Sequence, residues 1–281
     1  MLYWCFILGY KLYLQKIYPK QKSKLYLNLF DTKKMLDFLN KKMPLAGLLS
    51  SDFIDIHSHL LPGIDDGSES LEQSIKMILK MNELGIQNFI TTPHVMFGVW
   101  DNSTGIILDK LEQLREALDE RDMDYIKIEA AAEYMLDENF SELLKKRDLL
   151  TINEDHLLIE MSYHQPPLNL FDQIFNILLY GYIPILAHPE RYLFYKDSIE
   201  IIHKIKTAGC KLQLNLLALT GYYGTQVHKI AEKLLKEGLY DFIGTDAHHD
   251  KHLRALSKGI KKKYHKHLGP LIKNNSILNR G

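Results

Sequence analysis

Cysteine is scarce in this sequence, since only Cys5 and Cys210 occur in 281 residues. Two cysteines do not make the framework of cross-links that stabilises small secreted domains, so a disulfide scaffold is excluded. Free thiols are typical of a reducing compartment, and we therefore expect the protein in the cytoplasm.

An excess of charge of either sign is also missing. Lys and Arg together number 35, and so do Asp and Glu, which gives a formal net charge of zero with histidine neutral. No global electrostatic field therefore attracts nucleic acid or an acidic membrane surface, and we expect no nucleic-acid partner.

Long apolar runs are missing as well. The apolar and aromatic stretch at residues 2–10 is ended by Lys11 and is too short to span a bilayer. It also lacks the basic start and the small-residue cleavage site of a signal peptide. We expect no integral membrane span.

Hydrophobic residues make up 46% and charged residues 25% of the chain, which is ordinary for a globular protein. The pattern changes near residue 50, after which short β-type runs alternate with helical spacing. We predict an N-terminal extension over residues 1–50, partly disordered or a short helix. One large domain is predicted over 51–268, followed by a C-terminal tail over 269–281.

The pattern of the large domain predicts an α/β fold. Helical spacing appears over 70–84 and 107–118, and Ser70 with Gln73 fits a capping box at the first of these helices. Strands that alternate with helices imply a parallel sheet. This many units without a glycine-rich nucleotide fingerprint favour a distorted (βα)7-like TIM-type barrel over an open sheet. The seven predicted strands are 53–57, 88–92, 126–131, 156–161, 183–187, 212–216 and 241–245.

Residues of metal-ligating type follow the predicted strands. An isolated histidine at a strand end is most often a core or cap residue, but here six strand ends carry an imidazole or a carboxylate. The carboxyl ends of barrel strands meet at one rim, so these side chains are expected to converge there. His57 and His59 share one face of their strand. The full set is His57, His59, Asp66, His94, Glu133, Glu160, His188, Asp246 and His248.

The donor types indicate a centre with more than one metal ion. Mixed imidazole and carboxylate ligands suit Mn, Fe or Zn better than Ca or Mg. Carboxylates that bridge neighbouring ions allow two or three of them to lie close together. Such a centre can activate a water molecule and neutralise a developing oxyanion.

Six short motifs resemble the PHP-domain protein-tyrosine phosphatases of the CpsB, CapC and YwqE type. The resemblance runs from about residue 52 to about residue 265, with the motifs in order and at compatible spacing. The histidine pair alone occurs in many amidohydrolases, whereas the double aspartate together with the HPERY string is far more specific. The motifs are DIHSH at 55–59, PGIDDG at 62–67, TPH at 92–94, AEY at 132–134, HPERY at 188–192 and TDAH at 245–248.

The resemblance implies a distorted barrel of the PHP superfamily that binds up to three Mn²⁺ ions, with Fe, Zn, Co or Mg as alternative ions. It also implies that Arg191 binds phosphate, while Asp65 shapes the loop. Arg254 stands a little past the last motif and is predicted to be a second phosphate contact, with a solvated helix face as the alternative. The implied ligand sets are His57, His59, Glu133 and Asp246 for one ion; Glu133, Glu160 and His188 for a second; and Asp66, His94 and His248 for a third.

The reaction implied by the resemblance is hydrolysis of phosphotyrosine on the phosphorylated tail of a bacterial tyrosine kinase that controls capsule and exopolysaccharide synthesis. A cysteine nucleophile is excluded, because a thiolate phosphatase needs an arginine six positions after its cysteine. Lys11 and Leu216 stand at that spacing from the two cysteines. Two alternatives stay open: another PHP phosphoesterase of the histidinol-phosphatase type, and a metal-binding regulator of the kinase without turnover.

Overall fold

The computed structural model describes residues 40–278 of the chain. By its contacts the described chain divides into a larger compact unit, residues 42–260 and 264–278, and a smaller unit that includes residues 40–41 and 261–263. Most of the predicted N-terminal extension lies outside the described residues, and its described part holds a two-residue strand and a 3-10 helix. No helix among residues 40–278 has the length and apolar character that crossing a bilayer requires.

Strands and helices alternate along the described chain, as the sequence predicts for an α/β fold. The strands are β1 Lys42–Met43, β2 Ile54–Asp55, β3 Asn88–Thr91, β4 His94–Val95, β5 Lys127–Ala130, β6 Glu133–Met135, β7 His156–Glu160, β8 Ile183–Ala187, β9 Lys211–Asn215, β10 Phe242–Gly244 and β11 Ile260–Lys261. The α-helices are α1 Leu71–Glu83, α2 Thr104–Asp119, α3 Glu138–Lys146, α4 Leu170–Leu179, α5 Glu200–Thr207, α6 Leu216–Thr220, α7 Gly224–Lys236, α8 Asp250–Ser257 and α9 His265–Ser276. The 3-10 helices are Leu45–Gly47, Pro189–Arg191, Leu193–Tyr195 and Lys262–Tyr264.

Each of the seven predicted strands overlaps a strand of the structure, and β8 reproduces the run at 183–187 residue for residue. The predicted start of α1 is confirmed, because the Ser70 hydroxyl accepts a hydrogen bond from the Gln73 backbone N–H at 3.3 Å. Four short strands were not predicted, namely β1, β4, β6 and β11. Of these, β4 and β6 begin at His94 and Glu133.

Nine of the strands form two parallel sheets. Six run in the order β10-β9-β8-β7-β6-β4, and three in the order β2-β3-β5. A mixed α/β fold is thus confirmed, whereas a closed barrel is not confirmed by these ladders. The chain passes from the smaller sheet to the larger one twice, after β3 and after β5. The first break contains Pro93, which has no N–H to donate to a ladder.

Backbone hydrogen bonds continue past the strand ends and place them side by side. The Asp246 N–H donates to the His57 carbonyl at 2.7 Å, and the His59 N–H donates to the Ala247 carbonyl at 3.0 Å. These bonds join the segment after β2 to the segment after β10, which lie on different sheets. Residues far apart in the sequence are therefore held at one rim.

The strands are buried on both faces, as parallel strands between helices are. In β7, Leu157, Leu158 and Ile159 are all buried, and β8 continues the pattern with Ile185 and Leu186. Apolar side chains therefore occupy both faces of these strands along most of their length. The polar side chains that stand at their carboxyl ends are the ones available for chemistry.

Helix α9 carries the chain beyond residue 268, where the sequence places the start of a tail. The buried Asn275 amide donates to the Ile54 carbonyl at 2.9 Å and accepts from the Ile243 N–H at 3.1 Å. Ile54 belongs to β2 and Ile243 to β10, so this side chain links edge strands of the two sheets. The domain limit at 268 stays a prediction.

Candidate metal centre

All nine predicted donor residues come together, at or beyond the carboxyl ends of β2, β3, β5, β7, β8 and β10. They form four overlapping groups, and within each group the nitrogen and oxygen atoms lie within 4.8 Å of one another. Four residues belong to two groups each, an arrangement that suits neighbouring ions with shared ligands. The groups are His59, Asp66, His94 and His248; His57, His59 and Glu133; His57, His188 and Asp246; and His94, Glu133 and Glu160.

Glu133, the first residue of β6, lies at the centre of this donor set and is fully buried. Its Oε2 is 3.2 Å from His57 Nε2 and 3.1 Å from His94 Nδ1, and its Oε1 is 3.0 Å from His188 Nε2. Burial opposes ionisation, but the nearby His57 and His94 hold the pKa of Glu133 well below its usual value. Glu133 is therefore a carboxylate, which is the form that binds a metal ion.

Two donor residues have strained backbones. Asp246 follows β10 at φ +52°, and His188 follows β8 at φ +36°. Residues other than glycine rarely adopt positive φ, and such strain concentrates at functional sites. Asp246 Oδ1 lies in the cluster, 3.4 Å from His57 Nε2 and 3.3 Å from His248 Nδ1.

Several buried atoms of the cluster have no hydrogen-bond partner among the described residues. Such atoms are rare, because each costs about 1–3 kcal/mol when it is left unsatisfied. All of them except His188 Nδ1 lie 2.9–3.5 Å from another member without forming a hydrogen bond, and a divalent cation would satisfy several of them at once. The residues therefore fit a metal centre. The unpartnered atoms are His57 Nε2, His59 Nε2, His94 Nδ1, Glu133 Oε2, Glu160 Oε1 and His188 Nδ1.

The electrostatics of two further donors also suit a cation. Burial and the negative charge of Glu133 raise the pKa of Glu160. The ionised form of Glu160 therefore needs a positive charge beside it, which a metal ion supplies. Burial and the cationic Arg191 lower the pKa of His188 to about 4. His188 is therefore a neutral imidazole, the form that ligates metals.

The two consecutive aspartates after β2 have different roles. Asp66 is the exposed member of the donor set, with 54% of its side chain accessible, and its Oδ1 lies 3.4 Å from His248 Nε2. The Asp65 side chain is buried, with Oδ2 2.7 Å from His59 Nδ1, and it also accepts the His94 N–H at 3.1 Å. A carboxylate only accepts, so His59 donates from Nδ1 and keeps its Nε2 lone pair for the cluster.

Two amide side chains of β9 support the donor set, and the sequence analysis missed both. Gln213 Oε1 lies 3.0 Å from His57 Nδ1, which leaves His57 Nε2 for the cluster in the same way. Asn215 Nδ2 donates to Asp246 Oδ2 at 2.7 Å. Amides carry no metal signature of their own. The signal that the sequence does contain is that Gln213 and Asn215 stand two residues apart in a buried strand, which places both side chains on the same face of the sheet.

Close packing around the imidazoles requires glycine at two positions. A Cβ atom at Gly67 would collide with the side chain of His59, and one at Gly244 would collide with those of His57 and Gln213. The absence of a side chain lets the backbone approach the histidines directly. These glycines therefore help to fix where the imidazoles stand.

A cavity of about 760 Å³ opens onto the donor set. Six of the nine donors line it, and the rest of its wall is largely apolar. The Trp100 ring stacks on the His94 imidazole, with centroids 4.7 Å apart and planes inclined by 13°. Such a cavity suits a ligand with an anionic end and an aromatic body. Its apolar lining includes Met96, Val99, Trp100, Met135, Pro166 and Pro167.

The two predicted phosphate contacts lie in different environments. Arg191 lines the cavity with 22% of its side chain accessible, and its Nη1 donates to Asp246 Oδ2 at 2.7 Å. Arg254 is 62% exposed on α8, pairs with Asp250 on the same helix and lies outside the lining of this cavity. The structure thus brings Arg191 to the donor set, while the role of Arg254 stays a prediction.

Comparison with known families agrees with the motifs. A family model described as capsular polysaccharide synthesis, CpsB/CapC, matches residues 53–276. The match extends from the residue before β2 to the end of α9, so it includes every donor residue and the whole cavity.

Individual relatives carry related descriptions. The tyrosine-protein phosphatase YwqE of Bacillus subtilis (strain 168) is 28% identical over 230 residues, which cover 80% of this chain and 90% of the relative. The putative tyrosine-protein phosphatase CapC of Staphylococcus aureus is 26% identical over 231 residues, with coverage of 80% and 90%. A solved chain from work on YwqE from Bacillus subtilis and CpsB from Streptococcus pneumoniae, described as unique metal-dependent tyrosine phosphatases, superposes with a TM-score of 0.71. It is 28% identical, and the superposition covers 80% of this chain and 93% of that one.

Proposed function

The chain belongs to the CpsB/CapC family of capsular polysaccharide synthesis proteins, and we propose that it is a metal-dependent tyrosine-protein phosphatase. The observation that carries this function is the convergence of nine imidazoles and carboxylates, six of which line a cavity that Arg191 lines as well. Cations and a guanidinium bind a phosphate dianion, and apolar walls suit the phenyl ring that bears it. The names of the relatives describe the same activity.

The ions that we assign to this centre are Mn²⁺, up to three of them, with Fe, Zn, Co or Mg as alternatives. When bound, such ions activate water for attack on phosphorus and neutralise charge on the phosphoryl oxygens. The proposed ligand sets are His57, His59, Glu133 and Asp246; Glu133, Glu160 and His188; and Asp66, His94 and His248. The first and third sets are supported by geometric groups that contain three of their members each. For the second set, the group around Glu133 and Glu160 includes His94 in place of His188.

The side chains of the protein itself position the substrate. The Arg191 guanidinium has donors enough to grip two phosphoryl oxygens while Nη1 keeps its bond to Asp246. The wall around Trp100 receives the phenyl ring and displaces water from the cavity. Asp65 and Gln213 hold two imidazoles in fixed orientation, so the centre needs little reorganisation when the substrate binds.

We assign the fold to the distorted (βα)7-like barrel of the PHP superfamily. The assignment is supported by the backbone bonds between the segments after β2 and β10, and by the direct continuation of β3 into β4 and of β5 into β6. If each continuous pair counts as one interrupted strand, seven strands follow one another around a ring. Their order is β2, β3 with β4, β5 with β6, β7, β8, β9 and β10.

The substrate that we infer is the phosphorylated tail of a bacterial tyrosine kinase that controls capsule and exopolysaccharide synthesis. The family description, which concerns capsular polysaccharide synthesis, supports this assignment. A flexible tail also suits a cavity that must take in a single phosphorylated side chain. We place the reaction in the cytoplasm, in keeping with a chain that has only two cysteines.

The function is tested by comparing substrates on the same manganese-loaded preparation. We expect kcat/KM for a phosphotyrosine peptide to exceed that for histidinol phosphate by about tenfold or more. The wall carboxylate outside the donor set, Asp137, already accepts from the Phe97 and Phe140 N–H groups and is not free to bind an imidazolium. Faster hydrolysis of histidinol phosphate would favour the alternative phosphoesterase. Binding of the phosphotyrosine peptide without turnover would favour the regulator.

Cys210 is expected to take no part in the reaction. It is buried, and burial raises the pKa of its thiol to about 12, so that almost no thiolate forms at neutral pH. We expect Cys210→Ala to keep kcat/KM within about threefold of wild type, since the thiol is not a nucleophile here. Steady-state kinetics with and without iodoacetamide check this. A covalent phosphocysteine in the wild type that the variant lacks would contradict it.

A further inference from the structure

The Arg191 guanidinium lies over two tyrosine rings. Its Cζ atom is 4.5 Å from the ring centroid of Tyr163 and 4.4 Å from that of Tyr223. Tyr163 follows the end of β7 by three residues, and Tyr223 lies between α6 and α7. Two loops that are distant in the sequence thus each place a tyrosine ring against the same guanidinium.

The Arg191 guanidinium needs such support if its plane is to keep one orientation toward a bound phosphate. The hydrogen bond found for the Arg191 side chain among the described residues joins Nη1 to Asp246 Oδ2 at 2.7 Å. One bond at one nitrogen leaves the guanidinium free to rotate about it. Stacking against aromatic faces removes that freedom, because contact over a ring restricts the orientation of the guanidinium plane.

The two rings are themselves tied to the donor set. The Tyr163 hydroxyl lies 3.4 Å from His188 Nε2. The Tyr223 hydroxyl accepts from Asn215 Nδ2 at 3.2 Å and donates to Asp246 Oδ2 at 3.4 Å. These contacts fix the two rings against His188, Asn215 and Asp246. The rings that orient Arg191 are thus positioned by the proposed metal ligands His188 and Asp246 and by the amide that supports Asp246. A guanidinium fixed in this way meets the phosphate with its donors already aligned.

A role in core packing or in contact with the substrate's phenyl ring explains this arrangement less well. Tyr163 is 44% exposed and lines the cavity, so it is not a core residue. A ring face that covers Arg191 is not available to stack on a second group. Trp100, Met96 and Val99 line the cavity as well and leave apolar surface for a phenyl ring.

We propose that Tyr163 and Tyr223 are positioning residues, which act on the reaction through Arg191 by holding its guanidinium plane toward the phosphate. The inference rests on the proposed function only in that phosphate is the group bound. It predicts that both rings contribute to phosphate affinity, whether the phosphate is free or is attached to a tyrosine.

The test is a double-mutant cycle on the full-length, manganese-loaded protein, with inorganic phosphate as the probe and calorimetry as the readout. Tyr163→Leu and Tyr223→Leu are each expected to weaken phosphate binding by about tenfold, because the ring face is lost. Tyr163→Phe and Tyr223→Phe keep the ring and are expected to bind within about threefold of wild type. In an Arg191→Ala background, the leucine substitutions should have no further effect.

Three results would overturn the proposal. The first is an equal loss from leucine substitution with and without Arg191, which would show that the rings act independently of it. The second is a loss in the phenylalanine variants as large as in the leucine variants, which would assign the effect to the hydroxyls. The third is loss of manganese from the leucine variants, which would make the rings supports of the metal centre.

The design separates this inference from the proposed function. Phosphate binding requires no turnover, so the cycle can be completed even if the protein fails to hydrolyse phosphotyrosine. If the wild type hydrolyses phosphotyrosine but the cycle shows no coupling, the function stands and the positioning role is wrong. A selective rise of KM for the phosphotyrosine peptide, with phosphate binding unchanged, would instead assign the rings to the phenyl group.

Discussion

Replacement of Glu133 by glutamine is expected to lower kcat/KM for a phosphotyrosine peptide on the order of 10⁴-fold, the scale of several kcal/mol that metal ions contribute to charge stabilisation. Glu133 belongs to two of the four donor groups, and both of its oxygens face histidines. Glutamine keeps the shape but loses the charge, and one of its two terminal atoms is an NH₂ that cannot ligate a metal. Strong chelation of the wild type should produce the same loss, and added Mn²⁺ should restore the wild type alone.

Bound manganese and thermal unfolding separate this effect from misfolding. Mn²⁺ that binds the folded state should raise the Tm of the wild type, since a ligand that binds only the native protein stabilises it by mass action. The Tm of Glu133→Gln should respond much less. Without metal, His57 and His94 stabilise the buried Glu133 carboxylate, so its neutral replacement is expected to lower the Tm of the metal-free protein. The comparison is therefore made on the shift in Tm that Mn²⁺ produces in each protein. Metal analysis should find less manganese in the variant at equal protein concentration.

Glu129→Gln is the matched control. Glu129 lies on β5 and pairs with Arg115 at 2.7 Å on the surface, with 47% of its side chain accessible. An exposed pair of this kind contributes little to stability, so activity and manganese content should stay at wild-type values. If Glu133→Gln also keeps its manganese and its kcat/KM, the metal mechanism is wrong.

Much of the fold could be predicted from the sequence, because buried parallel strands are continuous apolar runs. The run over Ile183–Ala187 shows this well. The strands β4 and β6 were missed, since each is two or three residues long and follows a break, as at Pro93. The barrel was predicted from the number of βα units and stays a prediction. The backbone bonds that support it, such as that from Asp246 to His57, are encoded by no local pattern.

The donor residues could be predicted because imidazoles and carboxylates are conspicuous at the ends of apolar runs. Gln213 and Asn215 were not predicted, because amides are common and their partners lie on other strands. Arg254 was proposed from its nearness to the last motif. Its ion pair with Asp250, one helical turn away, is a local interaction that the sequence did contain. Nearness along the chain does not fix where a helix directs a side chain, so the role of Arg254 stays a prediction.

Arg191→Ala is expected to lower kcat/KM for a phosphotyrosine peptide by about 10²–10³, the usual scale for losing one preorganised donor at an anionic transition state. Arg191 lines the cavity beside six of the donor residues, so its guanidinium reaches a phosphate bound there. Manganese content should be unchanged. Asp246 Oδ2 loses the bond from Arg191 but keeps the one from Asn215 Nδ2 at 2.7 Å, which continues to orient the carboxylate.

A competing role for Arg191 is neutralisation of Asp246, and Arg191→Lys distinguishes the two. If a positive charge near Asp246 were all that mattered, an ammonium would restore activity almost fully. A phosphate clamp needs the planar fork, so lysine should recover only part of the loss. Arg121→Ala is the control, because Arg121 is partly exposed at the end of α2 and pairs with Glu72 far from the motifs. The clamp is refuted if Arg191→Ala turns over the peptide within a few-fold of wild type, or if Arg191→Lys matches wild type while Arg191→Ala loses its manganese.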